Sequence, residues 1–103
     1  MKIGIELIAE ERQRQIEVEG WTPEHDDEHI CGEMAQAAAC YAHPNTFKRL
    51  DMVGWPENWS LDYYKPTPDD RIRELAKAGA LIAAEIDRLI RESVNYFFEN
   101  GLA

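Results

Sequence analysis

Three features of the sequence predict an all-α fold. Thr22-Pro23-Glu24-His25 and Thr67-Pro68-Asp69-Asp70 are both helix starts, a capping threonine followed by a proline whose missing N–H costs nothing in the first turn. Ile72, Leu75, Gly79, Ile82, Ile86 and Leu89 recur at alternating steps of three and four, the spacing of one helix face. No stretch shows the strict alternation of a half-buried strand. The 103 residues make one small domain. A chain this short buries only about two thirds of the surface its unfolded state exposes, so a second copy is a natural source of further burial.

Taken in order, the elements form a three-helix bundle with one long interruption. The first helix covers about residues 3–19: Ile5, Ile8, Arg12 and Ile16 share a face, and Glu10 and Arg14 pair on the wet side. Gly20 ends it, with Trp21 as a plug over its end. The second helix covers about 23–42, starting at Pro23 or a few residues later with Asp26 or Asp27 as cap, and Pro44 stops it. Its stripe is Ile30, Met34, Ala37, Ala38 and Tyr41, thin enough for a partner helix to come close.

Residues 43–67 break the periodicity. Four of the five prolines lie in or beside this stretch, and so do half of the aromatic residues, with a short helical turn over 47–53. A loop this long in a compact domain is either functional or packed by its own side chains. Its rings therefore cap the open end of the helical core, or they stack on a planar ligand. The last helix covers about 68–98, with Thr67 as its cap. Its tail, VNYFFENGLA, carries Val94, Tyr96, Phe97 and Phe98, an apolar end suited to a second subunit in a homodimer or higher homo-oligomer.

Charge narrows the partners. Twenty acidic residues stand against 11 basic ones, a net charge of −9, which argues against a nucleic-acid duplex. It fits a protein that attracts cations or one that is simply well solvated. No segment has the roughly 20 apolar residues of a membrane span, and MKIGIELIAEE lacks the apolar run of a signal peptide. Cys31 and Cys40, read as lying on one helix, would be about 13 Å apart, too far for a disulfide. Reduced thiols and a cytoplasmic location are the expectation.

On an unbroken second helix Asp26, His29, Glu33, Gln36 and Cys40 share one face. Oxygen ligands converging from successive turns are what a divalent cation needs, while acids at a helix start are also favoured by the helix dipole alone. His25 and His29 have the i, i+4 spacing of a zinc clip, without further ligands of matching spacing. On the last helix Glu74 and Lys77 project beside the apolar seam, with Glu85 three turns on, and Glu74 and Glu85 together with Glu33 would line a groove between antiparallel helices. There is no GxxxxGK[ST], GxGxxG or GxSxG, and neither Ser60 nor Ser93 has a nucleophile context, so metal-assisted hydrolysis by carboxylates is the most credible catalysis.

Three segments, in order, carry a resemblance: Glu11-Arg12-Gln13-Arg14-Gln15, Gly32-Glu33-Met34-Ala35-Gln36-Ala37 and Arg73-Glu74-Leu75. Their layout resembles small phage and prophage proteins of the MazG-like type, within the all-α nucleoside triphosphate pyrophosphohydrolase superfamily. A further likeness, through GWTPEHDD, the WP and W-K-P middle and KAGALI-AEI-RL, is to small phage-type proteins and implies no activity. The superfamily resemblance implies magnesium held by an EExxE and an ExxD motif, with water attacking the triphosphate to release pyrophosphate. Glu33 falls on the last acid of EExxE, but His29 and Ile30 stand where the leading acids would be. Glu74 falls on the Glu of ExxD, and Lys77 on its Asp. Asp26 or Asp27, one turn before His29, would substitute in part. The resemblance thus implies a metal set of Asp26, Asp27, Glu33 and Glu74, catalysis by His29, Glu33 and Glu74, and a nucleotide held by Lys77, Trp55 and Trp59. Two functions follow: nucleotide binding with magnesium-dependent pyrophosphohydrolysis, or a non-catalytic protein that engages a host protein or sequesters a nucleotide signal. A purely structural oligomer is the third.

Overall fold

A computed structural model describes residues 1–101. Among them there is no strand, and the expected all-α class holds. The helices are α1 (Gly4–Glu17), α2 (Pro23–Asp26), α3 (Glu33–Ala42), α4 (Arg49–Met52) and α5 (Arg71–Glu99), with 3₁₀ turns at Thr46–Lys48 and Leu61–Tyr63. Leu102 and Ala103, the end of the apolar tail, lie outside the described residues. No described helix is long and apolar enough to cross a membrane.

The 29-residue α5 is the axis, about 43 Å long at 1.5 Å per residue. Both α1 and α3 pack along it, and their own backbones do not approach each other closely. The α3 interface is small-residue packing: Met34, Ala37, Ala38, Cys40 and Tyr41 meet Ala78, Leu81 and Ala84, all buried. Alanines let the two backbones come close but bring little apolar area each. Rings add what is missing, with Trp21 and Trp55 buried and Trp59 and Tyr64 packed against them. Where α1 crosses, Gly79 is required by space: a Cβ there would lie 2.6 Å from Ile8 Cδ1.

Three local expectations change. The second helix is not continuous. The Thr22 hydroxyl accepts from the His25 N–H as a cap should, but α2 stops at Asp26, and Gly32 at φ 81° starts a new helix. The break has a cause: Asp26 and Asp27 are drawn to Arg12 and Arg91, and the Glu33 carboxylate folds back to accept the Cys31 N–H at 2.5 Å. Asp26, His29 and Glu33 therefore do not lie along one helix face, and Cys31 and Cys40, both free thiols, do not share a helix.

The second change is at α5, whose cap is Asp70, accepting from the Arg73 N–H. Thr67 sits in the turn before it and gives its own N–H to Glu74.

The third change is the largest. The predicted seam is on the outside: Ile72, Leu75, Ile82, Ile86 and Leu89 are exposed, and Gly79 packs against Ile8 of α1. The inward face carries Glu74, Ala76, Lys77, Ala78, Ala80, Leu81, Ala84, Glu85 and Arg88.

Candidate functional site

A cleft of about 120 Å³ lies between the residues after α1 and the second 3₁₀ turn, lined by Trp21, His25, His29, Asn58, Trp59, Ser60 and Tyr63. Gly20, at φ 76°, turns the chain after α1, and the Trp21 N–H donates to the Gln15 carbonyl, which swings the indole over the helix end. The ring, expected as a plug over the helix end, is buried in the core and forms a cleft wall. Trp59 packs edge-on to Trp21 and to His29, with centroids 5.8 and 4.8 Å apart. His25 packs edge-on to His29 at 4.9 Å. The edge-to-face arrangement suits ring quadrupoles and holds these walls in place.

Hydrogen bonds decide the proton on His29. Trp59 Nε1 is donor only, and it donates to His29 Nδ1 at 3.2 Å. The Nδ1 is therefore bare and Nε2 carries the proton in the neutral ring. That Nε2 is buried and has no partner, as do His25 Nδ1 and Asp26 Oδ1, which stand 3.9 Å apart. Three orphaned polar atoms beside one small aromatic cleft are unusual, because buried polar groups are almost always satisfied.

The four carboxylates assigned to a metal are each engaged separately. Glu74, 1 % exposed, takes both terminal nitrogens of Arg49 at 2.6 and 2.7 Å and the Thr67 N–H at 3.1 Å. The Arg49 hydrogen bonds hold its carboxyl below the ordinary value, against the opposing effect of burial. Asp26 Oδ2 accepts from Arg12 at 2.6 Å, and Asp27 pairs with Arg91 at 2.8 Å. Glu33 accepts from the Cys31 N–H and from Asn58, with His29 Nδ1 at 3.7 Å. Burial pushes the Glu33 carboxyl up, but backbone N–H groups and Asn58 outweigh it, and it lies below the ordinary value. Glu85 is bound by Arg88 at 2.6 Å. Among the described residues no three His, Cys, Asp or Glu side chains converge on a point a metal ion could occupy.

Of the residues assigned to the nucleotide, Trp59 lines the cleft and Trp55 stands behind it. Trp55 is a buried ring packed edge-on or tilted among Tyr41, Trp59 and Tyr64, with its N–H spent on the Ser60 carbonyl. Lys77 lines a neighbouring, tighter recess that shares Trp21 and Tyr63 with the cleft. Its ammonium donates to the Lys65 carbonyl at 2.7 Å and sits 5.7 Å from the Tyr41 ring centre. Burial pushes its pKa down, and the charge of Arg73 adds to this. Burial also pushes the Tyr41 hydroxyl up to about 12, so it stays protonated as it accepts the Lys65 N–H.

Asn58 and Ser60 were not legible as cleft residues. A loop has no period that shows which side chains turn inward. Arg49 was also missed, because the sequence does not show that Glu74 lies on the inner face of α5 and needs a buried cation to match it. No family model, curated protein or solved structure matches this chain.

Proposed function

We propose that this protein binds a planar, nucleobase-like ring in the Trp21–His29–Trp59 cleft, as a small MazG-like helical protein that holds a nucleotide without turning it over. The observation that supports this most is His29 Nε2, a buried N–H with no acceptor, on a side chain that lines an aromatic cleft. A ring nitrogen or carbonyl of a bound base is the acceptor that would satisfy it, and the indoles supply the apolar faces. At about 120 Å³ the cleft is below the roughly 300–1,000 Å³ of drug-sized sites, so it takes one ring and leaves sugar and phosphate outside.

Binding is favoured over pyrophosphohydrolysis by the carboxylates. Magnesium held in the superfamily's manner would need Glu33 and Glu74 free, but Glu74 is closed by Arg49 and Glu33 is folded onto the start of α3. In this arrangement the residues do not fit the ion.

Tryptophan fluorescence titrated with pyrimidine bases, nucleosides and nucleotides, with magnesium and then with EDTA, tests the reading. Saturable quenching independent of magnesium is expected, weakened about tenfold in His29→Phe, the scale of one lost hydrogen bond to a ligand. Release of pyrophosphate in the magnesium series would replace the binding reading with the hydrolase. Silence across the whole panel would sink both and leave the alternative, a protein partner.

A homo-oligomer is the second part of the proposal, and a separate observation supports it. Ile72, Leu75, Ile82, Ile86, Leu89, Ile90, Val94, Tyr96, Phe97 and Phe98 are all exposed along α5. A contiguous apolar strip of that length marks an interaction surface. A second copy, whose own α5 presents the same strip, is the simplest cover for it.

A further inference from the structure

The recess beside the aromatic cleft runs against the composition of the chain. In a protein with nine more acids than bases, it is lined by Arg14, Lys65 and Lys77 and by one carboxylate, Glu19. Lys77 is 6 % exposed, yet no carboxylate lies within 4.0 Å of its ammonium among the described residues. One carbonyl and a tyrosine face are its direct contacts, and the carboxylates of Glu11 and Glu74 act on it only from a distance. A buried ammonium ordinarily has a counter-charge, because desolvating it alone is costly.

Glu19 fills the place an outside anion would take. Its Oε1 accepts from Arg14 Nη1 at 3.0 Å and its Oε2 from Lys65 Nζ at 3.1 Å, so one carboxylate bridges the two cations. With that side chain in place the recess has about 20 Å³ free, room for a water and little more. Glu19 follows the end of α1 and is 16 % exposed on its side chain, and Lys65 is 58 % exposed, so the bridge lies near the surface. Trp21 and Tyr63 belong to both the cleft and the recess, which puts the two next to each other.

We propose that Glu19 is a resident stand-in for the anionic group of the ligand, and that a phosphate or carboxylate on a ring seated in the aromatic cleft displaces it to reach Arg14, Lys65 and Lys77. The ring half of this rests on the function proposed above; the anion half does not. Displacement exchanges one anion for another, so the recess keeps its charge balance. The gain comes from Lys77, which acquires an anion in direct contact only when the ligand extends deeper than the Glu19 carboxylate does. The same exchange makes the protein select against rings that carry no charge.

The probes are cytidine, cytidine 5′-monophosphate and inorganic phosphate, titrated by calorimetry into the full chain and into Glu19→Gln and Lys77→Met. The monophosphate is expected to bind wild type about tenfold more tightly than cytidine, the scale of one charge-assisted hydrogen bond. Glu19→Gln removes the competitor, so the monophosphate and inorganic phosphate both bind more tightly to it while cytidine is unchanged. Lys77→Met loses the phosphate advantage and keeps cytidine; if it does not fold, Lys65→Gln, at an exposed position, serves as the second variant, with a smaller phosphate advantage and unchanged cytidine binding expected. Unchanged phosphate affinity in Glu19→Gln, or an undiminished phosphate advantage in the lysine variant, overturns the proposal. The two readings fail separately. Cytidine binding without a phosphate advantage sinks the anion site and leaves the ring site, whereas phosphate binding that responds to Glu19→Gln without any cytidine binding does the reverse.

Discussion

The two faces of α5 are the reverse of what a helix in a small soluble domain ordinarily presents. Its inward face holds Glu74, Lys77, Glu85 and Arg88 among alanines and one leucine. Its outward face holds Ile72, Leu75, Ile82, Ile86, Leu89 and Ile90, and past Arg91 every described residue is exposed, including Tyr96, Phe97 and Phe98. The inner face is closed by partners brought from elsewhere in the chain: Arg49 for Glu74, the Lys65 carbonyl for Lys77. The outer face has no such partners within the described residues. Charge can be buried where another element satisfies it, and apolar surface stays outside where no element reaches it.

The comparison is broken most strongly at the buried ion pair. Arg49→Met should cost about 3–5 kcal/mol, because it leaves Glu74 charged and unpaired in the core. Urea unfolding measures this, and the double variant Arg49→Met/Glu74→Leu should recover most of the loss. A single variant as stable as wild type would mean that the inner face is not closed by this pair.

The outer face is tested next. Ile86→Glu with Phe97→Glu should reduce the mass seen by light scattering to the 11.9 kDa of one chain, and should remove any dependence of Tm on protein concentration. If wild type already runs at 11.9 kDa at every concentration, the strip is not a self-interface.

A smaller effect is expected at Gly79, where the two faces meet α1. Adding a methyl group collides with Ile8, an overpacking of about 1–3 kcal/mol, against a gain of about 1 kcal/mol in helix propensity. Thermal melts of Gly79→Ala should show a net loss, recovered in part by Ile8→Ala. A rise in Tm would show that α1 can shift at no cost.

Acid sharpens the same contrast. The folded Glu74 carboxyl lies below its ordinary value of 4.5, so its contribution to stability is full above that value and drains away as pH falls through the lower folded one. Glu74→Gln should therefore be less stable than wild type at neutral pH and lose less on going below about pH 4.5, which denaturant midpoints across the pH series would show. A wild-type acid limb identical to that of the variant would contradict the assignment. The least effect belongs to the surface pair: Arg91→Ala should change stability by no more than about 1 kcal/mol, since the Asp27–Arg91 bridge is solvent-exposed.

Much of the local structure was legible. Thr22 caps where its sequence says, the first helix ends before Gly20, and the prolines and rings of 43–67 do replace a long helix with short turns. The break at residues 27–32 was not legible, because the pull of Arg12 and Arg91 on successive aspartates comes from distant parts of the chain. His29 and Trp59 could be marked as chemistry-bearing, but their hydrogen bond, across 30 residues of sequence, has no local signature. Asp26, Glu33 and Glu74 could be read as acids on helices. That each is bound to a different partner depends on approach from elsewhere in the chain.

The sequence by itself determined that the chain is helical, where most of its helices start and stop, and which residues share a face of α5. Those properties depend on caps, prolines and periodicity within a few turns of chain. Only the tertiary structure decided which face of α5 turns inward, which carboxylates are closed by arginines, and that Trp21, His29 and Trp59 form one cleft. Burial depends on what packs opposite. A buried Glu74 is tolerable only because Arg49 reaches it from 25 residues away, and periodicity along α5 carries no information about that.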